Sequence, residues 1–94
     1  MNRETKIFEL GERRRITLSV WLNTGQDFVF NGTPTWALSF PPVEDSGTCE
    51  VVQDGKRWNL TAEIQPQKRG NYELQYTFGI GTEIHKKSCK IRVV

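Results

Sequence analysis

His85 and Cys89 are the residues to test first for chemistry, because an imidazole beside a thiol is the base and nucleophile of cysteine-dependent hydrolysis. His85 is also the one histidine in the 94 residues. A separation of four brings two side chains together on a helix. The flanking residues instead alternate as a strand does, and four residues of strand span roughly 13 Å. The pair is therefore not expected to be catalytic. With Cys49 it gives three candidate zinc ligands, but no fourth and no close ligand spacing. Glu44-Asp45 beside Ser46 reads as a solvated loop, because calcium needs a richer oxygen cluster. Gly79-Ile80-Gly81 is followed by no helix that could hold a phosphate, so it reads as a hairpin turn. The expectation is a non-catalytic protein with no metal and no cofactor.

Charge points the same way. Thirteen basic and 11 acidic residues give a net charge of +2, and their mixing along the chain predicts no nucleic-acid partner. The Arg13-Arg14-Arg15 run would divide between opposite strand faces and a turn. Lys86, Lys87, Lys90 and Arg92 line the last segment, where lysine on an edge strand guards against edge-to-edge pairing. No apolar run approaches the roughly 20 residues that cross a bilayer as a helix, so no membrane association is expected. The first fifteen residues lack the apolar centre of a secretion signal, which leaves cytosolic synthesis or a leader removed earlier. Cys49 and Cys89 each fall in line with apolar neighbours and are expected as free thiols, small buried hydrophobes rather than a bridge. The triplets Asn31-Gly32-Thr33 and Asn59-Leu60-Thr61 fit the glycosylation acceptor pattern but arise by chance as well.

The elements that must position these residues are strands. In Arg57–Phe78, Trp58, Leu60, Ala62 and Ile64 alternate with Arg57, Asn59, Thr61 and Glu63. After a polar connection, Tyr72, Leu74, Tyr76 and Phe78 alternate with Glu73, Gln75 and Thr77. Period-two alternation assigns the two sets to opposite faces of a strand. Tyr72 follows Gly70-Asn71 at the start of its strand, where sandwiches carry a tyrosine corner. Before this pair, Thr5–Leu10, Arg14–Leu22, Thr35–Phe40 and Thr48–Gln53 read as strands, with Pro41-Pro42 stopping the third. Glu44–Gly47 reads as a polar turn, and Asp54-Gly55 as a tight hairpin. Glu83–Val94 is the last strand. Cys89, Ile91 and Val93 point inward there, and a bulge near Lys86-Lys87 is expected to keep His85 and Lys87 from doing so. About seven short strands with no helical period predict one all-β domain over residues 1–94, an antiparallel immunoglobulin-like β-sandwich. The intersheet cysteine of antibody domains is missing: Leu74 stands two residues after the corner tyrosine.

Two surfaces stand out. Ile16, Leu18, Val20 and Leu22 point inward, which puts Trp21 on the polar face with Thr17 and Ser19. In an immunoglobulin-like order Asn59 and Thr61 lie alongside. A tryptophan among small polar residues suits a contact anchor. Trp21, Thr17, Ser19, Asn59 and Thr61 are therefore the candidate partner-contact residues. The second surface is the pole where the Asn23–Pro34 loop, with Phe28 and Phe30 capping the core, meets the Asp54-Gly55 and Gly79–Thr82 turns.

The series ETKIFELGERRRITLSVW, PTWALSF, SGTCEV, NLTAEIQP, GNYELQYTF and a terminal IRVV resembles small immunoglobulin-like proteins encoded in prophages of Gram-positive bacteria. Related modules occur in phage tails and baseplates. The resemblance covers nearly the whole chain, and its Thr-Trp-x-Leu and Gly-x-Tyr-x-Leu motifs are signals of fold. It implies a structural or interaction role in a virion, made in the host cytoplasm, through a protein partner or self-assembly. The alternative expectation is a binding or spacer module of a bacterial cell-surface protein that contacts carbohydrate.

Overall fold

A computed structural model describes residues 5–40 and 42–94. Pro41, half of the expected Pro41-Pro42 stop, lies outside them. The chain forms β1 (Thr5–Phe8), β2 (Arg14–Val20), β3 (Thr35–Ser39), β4 (Val43–Thr48), β5 (Glu50–Asp54), β6 (Arg57–Ile64), β7 (Gly70–Ile80) and β8 (Glu83–Val93). Five strands make one sheet in the order β1-β8-β7-β3-β4, and three make the other in the order β2-β6-β5. The expected rows of β3, β6 and β7 meet between the two sheets. Trp36, Leu38, Leu60, Ala62, Ile64, Tyr72, Leu74, Tyr76 and Phe78 are all buried, joined by Phe8, Ile16, Ile91 and Val93. A leucine as fully enclosed as Leu74 contributes about 1.5–3 kcal/mol through burial.

Among the described residues eight strands stand where about seven were expected, and the difference is β4. The polar stretch expected to turn pairs instead with β3, Trp36 opposite Gly47 and Leu38 opposite Asp45. An edge strand facing water needs no apolar alternation. Gly47 fits because a Cβ there would come within 3.1 Å of the Trp36 ring. At Cys49, whose amide donates to the Pro34 carbonyl at 2.9 Å, the chain leaves the larger sheet and continues as β5 in the smaller one.

The pairing is also not wholly antiparallel, because β1 runs parallel to β8 from Thr5–Lys90 to Phe8–Val93. The short turn after β1, closed by the Glu12 amide on the Glu9 carbonyl at 3.0 Å, carries the chain across to the smaller sheet instead of folding it back as a hairpin. The expected bulge in the last strand is absent: β7 and β8 pair without interruption from Gly70–Val93 to Ile80–Glu83. His85 and Lys87 therefore lie on the same face as Cys89 and Ile91. Both strands have 11 residues while those of the smaller sheet have at most 8. The inward row thus runs past the opposing layer, so Lys87 stays exposed and no charge is desolvated.

Two tyrosines tie the frame. The Tyr72 hydroxyl donates to the Lys68 carbonyl at 2.9 Å and accepts from the Lys68 amide at 3.1 Å, closing the corner that the sequence predicts. The Tyr76 hydroxyl donates to the Ile16 carbonyl at 2.6 Å, a bond between the sheets. Burial pushes both phenols above their ordinary range, and for Tyr76 the neighbouring Cys89 and Cys49 thiols add to it. Neither Cys49 nor Cys89 is in a disulfide.

Candidate interaction site

The ladder between β2 and β6 sets Thr17 opposite Thr61 and Ser19 opposite Asn59. Directly opposed side chains are close enough to bond. The two threonine hydroxyls share a hydrogen bond at 2.8 Å, and the Ser19 hydroxyl donates to the Asn59 side-chain carbonyl at 2.8 Å. Farther along this face Arg15 meets Glu50 at 2.8 Å and Arg13 meets Glu63 at 3.5 Å. The four small polar residues come together as expected, but they bond to one another.

Trp21 differs from them. The last pair of the ladder is Val20–Trp58, so Trp21 stands just beyond β2 rather than within it, at the start of the loop. It is 53% exposed, and the Arg57 guanidinium lies over its ring at 4.8 Å from the centroid. Sequence reasoning missed Arg57 as a neighbour, although its place one step past Trp58 in an antiparallel ladder was the available signal.

A groove opens beside Trp21. Both β2 and β1 are outermost strands of their sheets, and they lie on the same side. At one end Arg14 bridges them by donating to the Ile7 carbonyl at 2.8 Å, with its guanidinium over the ring of Phe8. Among the described residues β1 pairs with Lys90–Val93 of β8, while β2 and β8 belong to different sheets and share no ladder. The gap is lined by Leu18, Val20, Phe78 and Ile80, with Trp21 on one rim and His85 and Lys87 on the other. His85 stacks on Phe78 at 5.4 Å between centroids, and its Nε2 is 3.1 Å from the Glu83 carboxylate.

The loop pole also converges. The Asn31 amide donates to the Gly79 carbonyl at 2.8 Å and its side chain to the Gly81 carbonyl at 3.0 Å. The Trp58 indole donates to the Phe28 carbonyl at 3.0 Å. Phe30 packs edge-on against Trp58 and Phe78, so it closes the core at that end. The β7–β8 turn is shorter than expected, because Gly79 and Ile80 belong to β7 and Gly81-Thr82 alone remain.

The residues screened for chemistry stay apart or engaged. Glu44 pairs with Lys68 at 2.8 Å, and Asp45 accepts from the Ser46 amide. Burial pushes the Cys49 thiol up to about 11, far from a thiolate at neutral pH. Among the described residues no three His, Cys, Asp or Glu side chains gather as metal ligands.

No family model matches the sequence, and no curated protein matches it. Among solved structures, the crystal structure of an engineered protein is similar, with a TM-score of 0.61 and 16% identity over 97% of this chain and 18% of that one. At such identity the likeness concerns the fold alone, an all-β domain of two sheets. The chain spans under a fifth of that protein's length.

Proposed function

We propose that this is a non-catalytic immunoglobulin-like module that acts through protein–protein contacts in a phage or prophage particle. The strand order supports the immunoglobulin-like part: β2-β6-β5 facing β8-β7-β3 follows the arrangement of such domains, with β1 and β4 added at the edges. The bonded tyrosine corner belongs to the same pattern. The phage setting rests on the sequence resemblance. The observation that carries the contact role is Trp21, a large exposed aromatic at the end of a face whose polar groups already bond to each other. Tryptophan is enriched among residues that dominate binding energy.

In a bacterial surface module the same indole would serve as a stacking platform for a sugar. Arg57 already covers one of its two faces, so the protein contact is the better supported reading. Trp21→Ser tests it. The variant is expected to lose at most about 0.5–1 kcal/mol of stability, the value of an exposed cation–π contact, while incorporation into particles or capture of the native partner falls sharply. Unchanged assembly by a folded variant would refute the anchor, and loss of glycan binding in its place would favour the surface module.

A further inference from the structure

We infer that Asn31–Gly32 is a site of spontaneous chemical modification, where the asparagine closes on the next backbone amide and loses ammonia, and that this reaction undoes the clamp over the loop pole. The inference stands apart from the interaction role proposed above. Cyclisation needs a backbone nitrogen that can approach the side-chain carbonyl, and the residue after the asparagine controls that approach. Of the five asparagines, Asn2, Asn23, Asn31, Asn59 and Asn71, Asn31 alone precedes glycine. The others precede Arg3, Thr24, Leu60 and Tyr72, whose side chains obstruct it. Asn59 and Asn71 are also held extended within β6 and β7. Asn31 and Gly32 are both exposed and lie in a bend outside the strands. Gly32 has a φ of 84°, which glycine adopts without steric cost, and a Cβ built there would meet nothing within 4 Å. Neither a side chain of its own nor a packed neighbour crowds that residue.

The reaction balances with water as its co-reactant. Base removes the Gly32 amide proton, the nitrogen bonds to the carbonyl carbon of the Asn31 side chain, and that carbon expels its amide group as ammonia. Water then opens the cyclic imide at either carbonyl. One opening leaves aspartate in the ordinary chain, and the other leaves isoaspartate, with the chain rerouted through the side chain. Nothing is oxidised or reduced. Asp54–Gly55 has the same small neighbour, but a carboxylate is a poorer electrophile than an amide and releases no ammonia. The fold sets both the brake and the consequence. The Asn31 amide donates to the Gly79 carbonyl at 2.8 Å, and the side-chain amide donates to the Gly81 carbonyl at 3.0 Å, so cyclisation waits for the side-chain bond to open. That bond is exposed, where water competes for both partners. After the reaction a carboxylate replaces the donor, and an ionised carboxylate offers the Gly81 carbonyl only acceptors. Isoaspartate also lengthens the chain directly after Phe30, whose ring closes the core against Trp58 and Phe78.

The experiment incubates the full chain at mildly alkaline pH, with an Asn31→Gln variant and a synthetic Phe30–Thr33 peptide beside it. Ion exchange separates the converted chain, which carries one more negative charge, and peptide mapping locates the change. Conversion is expected at residue 31 before any other asparagine, slower than in the peptide, with ammonia released and isoaspartate as well as aspartate in the product. Asn31→Gln, whose longer side chain would have to close a larger ring, should stay unconverted over the same period. The purified converted chain should melt about 2–6 °C lower, the shift that loss of one exposed hydrogen bond brings in a domain of this size. Hydrogen exchange at the Asn31 amide should become faster. An Asn31→Asp variant, which carries the charge without the rerouted chain, should show part of the melting shift. A folded chain that stays intact while the peptide converts would overturn the inference. Earlier conversion at another asparagine would do so too, as would a converted chain that melts and exchanges like the parent.

Discussion

Replacing Tyr72 by phenylalanine removes one oxygen and leaves the ring in place against Phe40, with centroids 4.7 Å apart. That oxygen serves the Lys68 carbonyl at 2.9 Å and the Lys68 amide at 3.1 Å. Each lost bond is worth about 0.5–1.5 kcal/mol net, and a buried group left without a partner costs more. The corner is only partly buried, so water restores some of the loss, and about 1–2 kcal/mol is expected. Tyr76→Phe supplies the internal comparison. Its single bond to the Ile16 carbonyl, at 2.6 Å, is buried between the sheets, so its loss should cost about 2–3 kcal/mol despite involving one contact fewer. Urea unfolding followed by tryptophan fluorescence gives both values, and an unchanged slope would confirm that the midpoint shift reports stability. In a domain of this size 1 kcal/mol shifts the melting temperature by about 4–8 °C. The reasoning fails if Tyr72→Phe is neutral, or if it costs more than Tyr76→Phe.

Alkaline pH should destabilise the fold. The unfolded chain releases the Cys49 proton near its ordinary value of about 9, whereas the folded chain holds it to about 11. Between these values the folded state binds more protons, so stability is fully present below about pH 9 and declines up to about pH 11, by roughly 2–3 kcal/mol. Cys49→Ala should flatten that decline in urea midpoints measured across the range, with Tyr72 and Tyr76 contributing the remainder in the same direction. Because neither cysteine is in a disulfide, reductant should leave the midpoint of the parent protein unchanged, and a Cys49→Ala, Cys89→Ala double variant should still fold by circular dichroism. Gly70→Ala should cost about 2–3 kcal/mol or abolish folding. Gly70 has a φ of 136°, and a Cβ there would lie 2.5 Å from the Phe40 ring, combining backbone strain with overpacking. A mild effect in thermal unfolding would show that Phe40 moves aside easily.

Alternation along the chain determined which residues of β2, β3, β6 and β7 face inward, because side-chain direction in a strand follows from backbone geometry alone. It also determined that Tyr72 begins a strand after a corner, and that Thr17, Ser19, Asn59 and Thr61 share a face, since one register fits both inward rows. Local pattern carries no information about which strand lies alongside or in which direction. The parallel pairing of β1 and the existence of β4 were therefore decided by tertiary contacts: the crossing of the chain between sheets at Cys49 and the seat that Gly47 leaves for Trp36. The inward turn of His85 and Lys87 was visible in their spacing. Whether it required a bulge depended on how far the opposite sheet extends. In the folded molecule that sheet ends first, so the two side chains stand at the rim of a groove rather than in the core.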